Sequence, residues 1–231
     1  MKKVSLLLTA ALFTTLMSCT NAPDSDKAVT TEATEVNEQP AGDSYKVDVA
    51  SSKVKWVGTK ISGYHVGTID LREGELSLKD GAITGGKIAL DMKTMAVTGP
   101  EGSNEAMNAK LLGHLTSPDF FEVDKFPGAV FEITSVTPNT DAVAEVEDPR
   151  QSEISEYKVD NPTHRIAGNL TIKGITKNIE FPAKITITEG AVDATAKFNI
   201  DRSLWNITYP GKPDDLIKNE VHLGISLKAS K

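Results

Sequence analysis

The side chains that could do chemistry in this chain of 231 residues are few and widely spaced. None of the four histidines lies in an HxH or HExxH pattern, and none is paired closely in sequence with a carboxylate. A metal site would have to draw its ligands from distant strands, so we expect isolated surface or rim histidines and no metal. These histidines are His65, His114, His164 and His222.

Three carboxylates, Asp119, Glu122 and Asp124, lie close enough in sequence to suggest acid–base catalysis. They are interleaved with phenylalanines, however, so we expect the aromatic rings to pack and the carboxylates to face water. No GxSxG motif is present, and no serine or threonine is paired in sequence with a base. The sequence therefore predicts no catalytic residue, no cofactor and no enzymatic activity.

The first 18 residues predict a lipoprotein signal peptide. Two lysines precede a mostly apolar stretch over residues 4–17, which is shorter than the roughly 20 residues of a transmembrane helix. It ends in LMSC, which resembles a bacterial lipobox, so Cys19 is expected to become the lipidated first residue of the mature protein. Thr20, in place of aspartate, favours the outer membrane. A plain secretory signal with a chance cysteine is the alternative.

Residues 19–44 are predicted to be the lipidated cysteine and a disordered tether, because they are rich in Thr, Ala, Glu, Asp and Pro and contain no aromatic residue. The formal net charge of the chain is −7, and Lys and Arg form no basic block. Nucleic acid is therefore not expected as a partner, since binding to phosphates needs clustered cations.

From Tyr45 to Lys231 apolar and polar residues alternate, the pattern of strands with one buried and one solvated face. The clearest stretches run over residues 179–187, 192–200 and 221–229. No crossover helices or continuous apolar runs of a parallel sheet are present. The sequence predicts an all-β, antiparallel domain over residues 45–231, and the pattern alone leaves a sandwich and a closed barrel open.

Two segments interrupt the alternation. Residues 103–115 carry Met107, Leu111, Leu112 and Leu115 at helical spacing, which predicts a short amphipathic helix lying on the sheet or plugging it. Residues 141–163 are acidic and contain two prolines, so we expect a long exposed loop between two strands. In the strands, many inward positions are small, which favours a cavity unless bulky neighbours fill the space.

Five ordered segments resemble the YceI-like domain family. They include a helix ending in His-Leu before a small-Asp-Phe-Phe run, a Lys-Gly-Ile-Thr-Lys hairpin, and an Arg, a Ser and a Trp that follow a strand. These segments are YKVDVASSKVKWVGTK (Tyr45–Lys60), HLTSPDFFEVDKFPGAVFEI (His114–Ile133), GNLTIKGITKNIEFPAKI (Gly168–Ile185), FNIDRSLWNI (Phe198–Ile207) and EVHLGISLKA (Glu220–Ala229).

The resemblance implies an extended, eight-stranded, antiparallel lipocalin-like barrel with one short α-helix, whose cavity binds a polyisoprenoid, an isoprenoid quinone or another long-chain amphiphile. By alternation and by this analogy, we expect nine residues to line the cavity and bind the ligand. They are Trp56, Ile69, Leu90, Phe131, Leu170, Phe181, Phe198, Trp205 and Leu223.

Other residues near the expected barrel ends have weaker assignments. Phe120, Phe121 and Phe126 are expected to wedge the helix against the barrel, with ligand contact as the alternative. Arg202 is expected to pair with a carboxylate, with contact to the ligand's head group as the alternative, and His65 is a weaker candidate for that contact.

The leading hypothesis is a carrier or store of an apolar lipid on an outer-membrane lipoprotein that is attached to the membrane by its lipid. A homodimer is left open. The first alternative is a structural or stress-related lipoprotein with a filled barrel that acts through protein partners. The least favoured is an enzyme acting on a bound lipid, because the inward positions are almost all apolar.

Overall fold

The structure, a computed structural model, describes residues 21–36, 40–140 and 156–231. The described residues form eleven strands, one α-helix and a short 3₁₀ helix (Arg202–Trp205). The elements are β1 (Val29–Glu32), β2 (Asp43–Val47), β3 (Lys53–Lys60), β4 (Gly63–Lys79), β5 (Ala82–Gly99), α1 (Glu105–Thr116), β6 (Gly128–Pro138), β7 (His164–Ile172), β8 (Ile175–Thr188), β9 (Ala191–Asp201), β10 (Gly211–Lys212) and β11 (Asp215–Ser230).

Eight of these strands close into an antiparallel barrel. From β3 to β9 each long strand pairs with the next one in sequence, and β11 pairs with β9 on one side and with β3 on the other. Leu223 of β11, for example, lies opposite both Phe198 of β9 and Trp56 of β3. The expected eight-stranded barrel is confirmed, and closure gives each of its long strands a partner on both sides over part of its length.

Strands β4 and β5 are the longest of the described strands, with 17 and 18 residues. Within β4 the register with β5 shifts between Leu71 and Glu73, which is a bulge just before Gly74. Gly74 has no side chain to meet Val47 of β2, whose methyl groups lie where a Cβ would stand. This bulge lets β4 bend so that β2 extends the wall between β4 and β11.

The two ends of the barrel differ. We call the helix end the one that carries α1, the β3–β4 turn, the 3₁₀ helix and the β10–β11 hairpin, and the far end the one that carries the β4–β5 and β8–β9 turns. Helix α1 spans Glu105–Thr116, and the side chain of its N-cap Asn104 accepts a hydrogen bond from the Met107 backbone at 3.1 Å. Leu111 and Leu115 line the barrel interior, whereas Met107, expected on the same face, is exposed.

Helix α1 is short, and no helix within the described ranges is long and apolar enough to cross a membrane.

Residues 23–34 form a segment, the N-terminal strap, that lies in the seam between β8 and β9. These two strands pair with each other only over Ala183–Thr188 and Ala191–Ala196. Toward the helix end, β1 pairs with Lys177–Glu180 of β8. Just before β1, Asp26 and Ala28 exchange backbone hydrogen bonds of 2.7 and 2.9 Å with Asn199 of β9. The strap thus completes the barrel wall where β8 and β9 separate.

Three buried asparagines fix the two ends of the strap. Asn199 Nδ2 donates to the Pro23 carbonyl at 2.9 Å. At the other end, Asn169 Nδ2 donates to the Thr34 carbonyl at 2.6 Å, and Asn178 Nδ2 donates to Thr34 Oγ1 at 3.1 Å. The expectation of a disordered tether through residue 44 is therefore wrong for the strap. Its backbone finds partners on the barrel, which composition alone does not reveal.

The described end of the acidic loop, residues 156–163, packs against the barrel at Tyr157 and Val159, whereas Glu156, Asp160, Asn161 and Thr163 are exposed as expected. The Tyr157 ring meets His222 of β11 edge-on, with ring centroids 5.0 Å apart. Burial raises the pKa of Tyr157 to about 12, and Val159 is buried. The remainder of the expected loop, residues 141–155, lies outside the described residues.

His222 is a buried histidine on the outer face of the wall. Its Nδ1 lies 3.0 Å from Asn199 Oδ1, and because Asn199 Nδ2 donates to Pro23, that oxygen is the acceptor and Nδ1 carries the proton. Burial is the main cause that lowers the pKa of His222 to about 4, and the nearby charge of Lys197 adds to it. Glu156 raises the pKa, but more weakly. His222 is therefore neutral at neutral pH.

Acidification is expected to destabilise the fold through His222. Between pH 6.5 and about 4 the unfolded chain takes up this proton and the folded chain does not, so the free energy of unfolding falls as the pH is lowered, by roughly 3 kcal/mol in all. Urea unfolding of the wild type and of His222→Gln at pH 7, 6, 5 and 4.5 measures the difference. The wild type should lose more stability than the variant over this range, and equal slopes would contradict the assignment.

Candidate ligand-binding cavity

The barrel encloses a cavity of about 470 Å³. All nine residues that the sequence predicted as lining lie on its wall, and the eight barrel strands and the 3₁₀ helix supply one each. The interior is therefore hollow, as the resemblance implied, and not filled as the first alternative required. Their position on the wall does not show that they bind a ligand, so ligand binding by these residues stays a prediction.

Aromatic rings form the rigid part of the wall. Phe181 and Phe198 stack with centroids 4.0 Å apart and an interplanar angle of 13°, and Phe131 lies 5.7 Å from Phe181. Trp205 is fully buried, and its indole N–H donates to the Leu170 carbonyl at 3.0 Å. Contacts among these rings and with the backbone therefore fix the positions of four aromatic side chains in the wall.

The small residues that suggested a cavity have two different roles. Ala183, Ala194 and Ala196 are small inward residues that line the cavity. Gly168 instead lies beneath the Phe131 ring, whose atoms come within 2.4 Å of the place where a Cβ would stand. Gly174 has a φ of +75° in the β7–β8 turn. A small residue on an inward position therefore marks empty space only when no ring from the neighbouring strand fills it.

Aromatic side chains between α1 and β6 cover much of the helix end. Phe120 is buried and, with Phe121, lines the cavity. His114 of α1 meets the Phe120 ring at 5.0 Å and the Tyr209 ring at 4.7 Å. Phe120 and Phe121 thus both pack against the helix and face the cavity, whereas Phe126 covers the turn at Gly174.

Among the described residues, the polar lining of the cavity lies at the helix end. We call the part of this end where Lys60, the β10–β11 hairpin and Lys218 meet the mouth. Lys60 Nζ lies 2.5 Å from Asp215 Oδ2, and Ser62 donates its backbone N–H to Asp215 Oδ1 at 2.9 Å. The hydrogen bond from Lys60 and the one from Ser62 lower the pKa of Asp215 to about 2. Asp215 is therefore ionised and neutralises Lys60.

Arg202 lines the cavity at the mouth, and it is 5% exposed. Its guanidinium donates to three backbone carbonyls, those of Lys218 at 3.1 Å, Ile207 at 2.5 Å and Tyr209 at 2.8 Å. Arg202 is therefore held by backbone carbonyls of β11 and of the segment that follows the 3₁₀ helix, and not by the expected ion pair with a carboxylate. Burial lowers the pKa of Arg202, but the group remains a cation.

His65 lies on the inner face of β4, opposite Gly58 of β3, and lines the cavity near the mouth. Burial and the charge of Lys60 lower its pKa, so the ring is neutral at neutral pH. Of the other polar groups singled out in the sequence, His114 lines the cavity and pairs with Asp119 at 2.9 Å, and Asp124 is exposed. Across the described residues, no cluster of three or more His, Cys, Asp or Glu could hold a metal.

Sequence reasoning missed most of the mouth. Lys60 follows Trp56 and Gly58 at alternate positions, so period two could have placed it on the inner face of β3. Asp215 is 155 residues away from Lys60, and no local pattern links the two. Cys19, the expected lipidation site, lies outside the described residues.

Known proteins share the sequence pattern and the fold of this chain. A family model described as the YceI-like domain matches residues 45–229. A UPF0312 protein of Pseudomonas putida is 32% identical over 143 residues, which cover 60% of this chain and 60% of that protein. The crystal structure of Burkholderia cenocepacia BcnA is similar with a TM-score of 0.59 and 18% identity, covering 80% of this chain and 99% of that one.

A second solved structure is a polyisoprenoid binding domain from Saccharophagus degradans, implicated in plant cell wall breakdown. It has a TM-score of 0.54 and 13% identity, covering 80% of this chain and 97% of that one. At these identities, the two structural matches show a shared fold.

Proposed function

This chain belongs to the YceI-like domain family, and we propose that it binds one long-chain amphiphile in its barrel, with the apolar chain in the body of the cavity and the polar head at the mouth. The observation that carries the proposal is the division of the cavity wall. Toward the far end the lining is apolar, with Leu76, Ile83 and Leu227. Within the described ranges, the charged side chains of the lining all lie at the helix end.

The size and chemistry of the cavity suit such a ligand. A volume of about 470 Å³ falls within the range of roughly 300–1,000 Å³ typical of small-molecule sites. An apolar chain gains about 25 cal/mol per Å² when it leaves water. Enclosure in the barrel would therefore hold a lipid that has little solubility of its own. The polyisoprenoid binding domain that shares this fold supports an isoprenoid as the ligand class.

We further propose that the protein carries or stores this lipid at the cell envelope and does not convert it. No catalytic motif was found in the sequence, and the support for a membrane location is the lipobox-like end of the N-terminal apolar stretch at Cys19. Since the strap begins at residue 23, only a few residues would separate a lipid on Cys19 from the barrel. The barrel would then lie close to the bilayer from which its ligand comes.

Mass spectrometry tests the binding proposal. The full chain is produced in a bacterial envelope, purified, and its organic extract is analysed, with a second sample incubated with prenyl alcohols and quinones. We expect about one long-chain species per barrel, because one cavity encloses one ligand. Clean extracts from both samples would overturn the proposal and direct attention to a protein partner.

A further inference from the structure

The charges that face the cavity are unbalanced. Among the described residues, four cationic side chains line it, Lys60, Arg202, Lys212 and Lys218, and one carboxylate does, Asp215. The chain as a whole carries a formal charge of −7. The cavity therefore concentrates positive charge within an acidic protein, and low-dielectric walls on both sides strengthen the resulting field.

The cations cluster at one place. Asp215 is bound to Lys60, so its charge is already neutralised. Arg202 Nε donates to the backbone carbonyl of Lys218, which brings these two residues into contact, and Lys212 lies opposite Asp215 in the β10–β11 hairpin. Three of the five guanidinium N–H groups of Arg202 are used by backbone carbonyls. Its buried charge has no ion pair with a carboxylate within the described part of the chain.

From this cluster we infer that the mouth is an anion subsite, in which Arg202, Lys212 and Lys218 hold a phosphate or carboxylate head group of the bound amphiphile. The inference rests on the proposed function and goes beyond it by naming the class of ligand: an acidic lipid, rather than a neutral alcohol, quinone or hydrocarbon. His65 does not alter the charge balance, because burial keeps it neutral. The pair of Lys60 and Asp215 closes the subsite on the side of β3.

The test uses four probes that share one saturated, branched chain and differ at one end: phytane, phytanol, phytanic acid and phytanyl phosphate. Binding of each tritiated probe to the full chain is measured by equilibrium gel filtration at low salt. We expect phytanyl phosphate or phytanic acid to bind about tenfold more tightly than phytanol, and salt to reduce this advantage. A gain for both acids indicates a general anion site, and a gain for the phosphate alone identifies a phosphate site.

Charge variants locate the effect. In Lys212→Gln/Lys218→Gln, the affinity for the favoured anionic probe is expected to fall about tenfold more than that for phytanol. The matched control is Lys46→Gln/Lys228→Gln, which removes the same charge at two exposed positions of the far end and should leave the preference unchanged. Asp215→Asn works in the opposite direction: it frees Lys60 and should tighten anion binding about threefold, a gain that misfolding cannot mimic.

The outcomes separate the subsite from the proposed function. If phytane and phytanol bind and the anionic probes bind no more tightly, the anion subsite is wrong while lipid binding stands. The same conclusion follows if the lysine variant weakens all four probes equally, or if Asp215→Asn weakens the anions. If no probe binds, the proposed function fails, and the subsite fails with it.

Discussion

Leu223→Glu is expected to weaken binding of a long-chain lipid more than a hundredfold. Leu223 lines the cavity between Trp56 and Phe198, with which it is in register on the two neighbouring strands. A carboxylate there would have to lose its water when the apolar chain of the ligand enters, at a cost of several kcal/mol. A hundredfold loss corresponds to about 2.7 kcal/mol. The binding assay with tritiated phytanol measures it.

The variant should still fold, because Leu223 is only partly buried and the empty cavity has room for water around the new carboxylate. Circular dichroism and thermal unfolding check this point. Ser226→Glu is the matched control, since Ser226 is exposed on the outer face of the same strand and receives the same charge. If Leu223→Glu binds the lipid within threefold of the wild type, the ligand does not occupy this part of the barrel.

The wall of the cavity could be predicted from the sequence because of the geometry of strands. Side chains alternate strictly between the two faces, so Phe181, Ile185 and Phe198 had to share the buried face of their strands. A shift of one residue would have placed all of them in water, which makes the register of such strands unambiguous. Closure of the barrel was not in the pattern, since a sandwich buries one face of each strand equally well.

The mouth and the strap could not be predicted because they depend on contacts between distant parts of the chain. Asn169, Asn178 and Asn199 occupy outward positions, where polar residues are normally solvated. They are buried because the strap covers them. The strap itself contains little apolar surface, and its order comes from hydrogen bonds to partners more than 130 residues away. Composition indicates how much apolar surface a segment can bury. It does not show which distant residues the segment can form hydrogen bonds with.

Asn178→Leu is expected to lower the free energy of unfolding by roughly 2 kcal/mol, because it leaves buried partners unsatisfied. In the wild type, Asn178 Nδ2 lies 3.1 Å from each of three oxygens, on Thr34, Thr134 and Asn169. Asn199→Leu should have a similar effect at the other end of the strap, where it removes the bonds to Pro23 and His222. Urea unfolding measures both variants. Thr31→Ala, at an exposed strap position, is the control and should change stability by less than about 0.5 kcal/mol.

The double variant Asn178→Leu/Asn199→Leu decides whether the strap is held as one unit. Two independent contacts at the two ends would give additive losses, about 4 kcal/mol in all, as for sites that share no partner. If the strap detaches as a whole, the first substitution already breaks some of the contacts that the second would break. The loss of unfolding free energy in the double variant is then clearly smaller than the sum of the two single losses.

Hydrogen exchange at the β1 amides gives an independent measure. We expect a loss below the sum together with fast exchange across Val29–Glu32 in the double variant. Among the described strands β1 pairs with β8 alone, and the residues that flank β1 make the remaining contacts of the strap. Additive losses with protected β1 amides would show instead that the strand pairing alone keeps the seam closed.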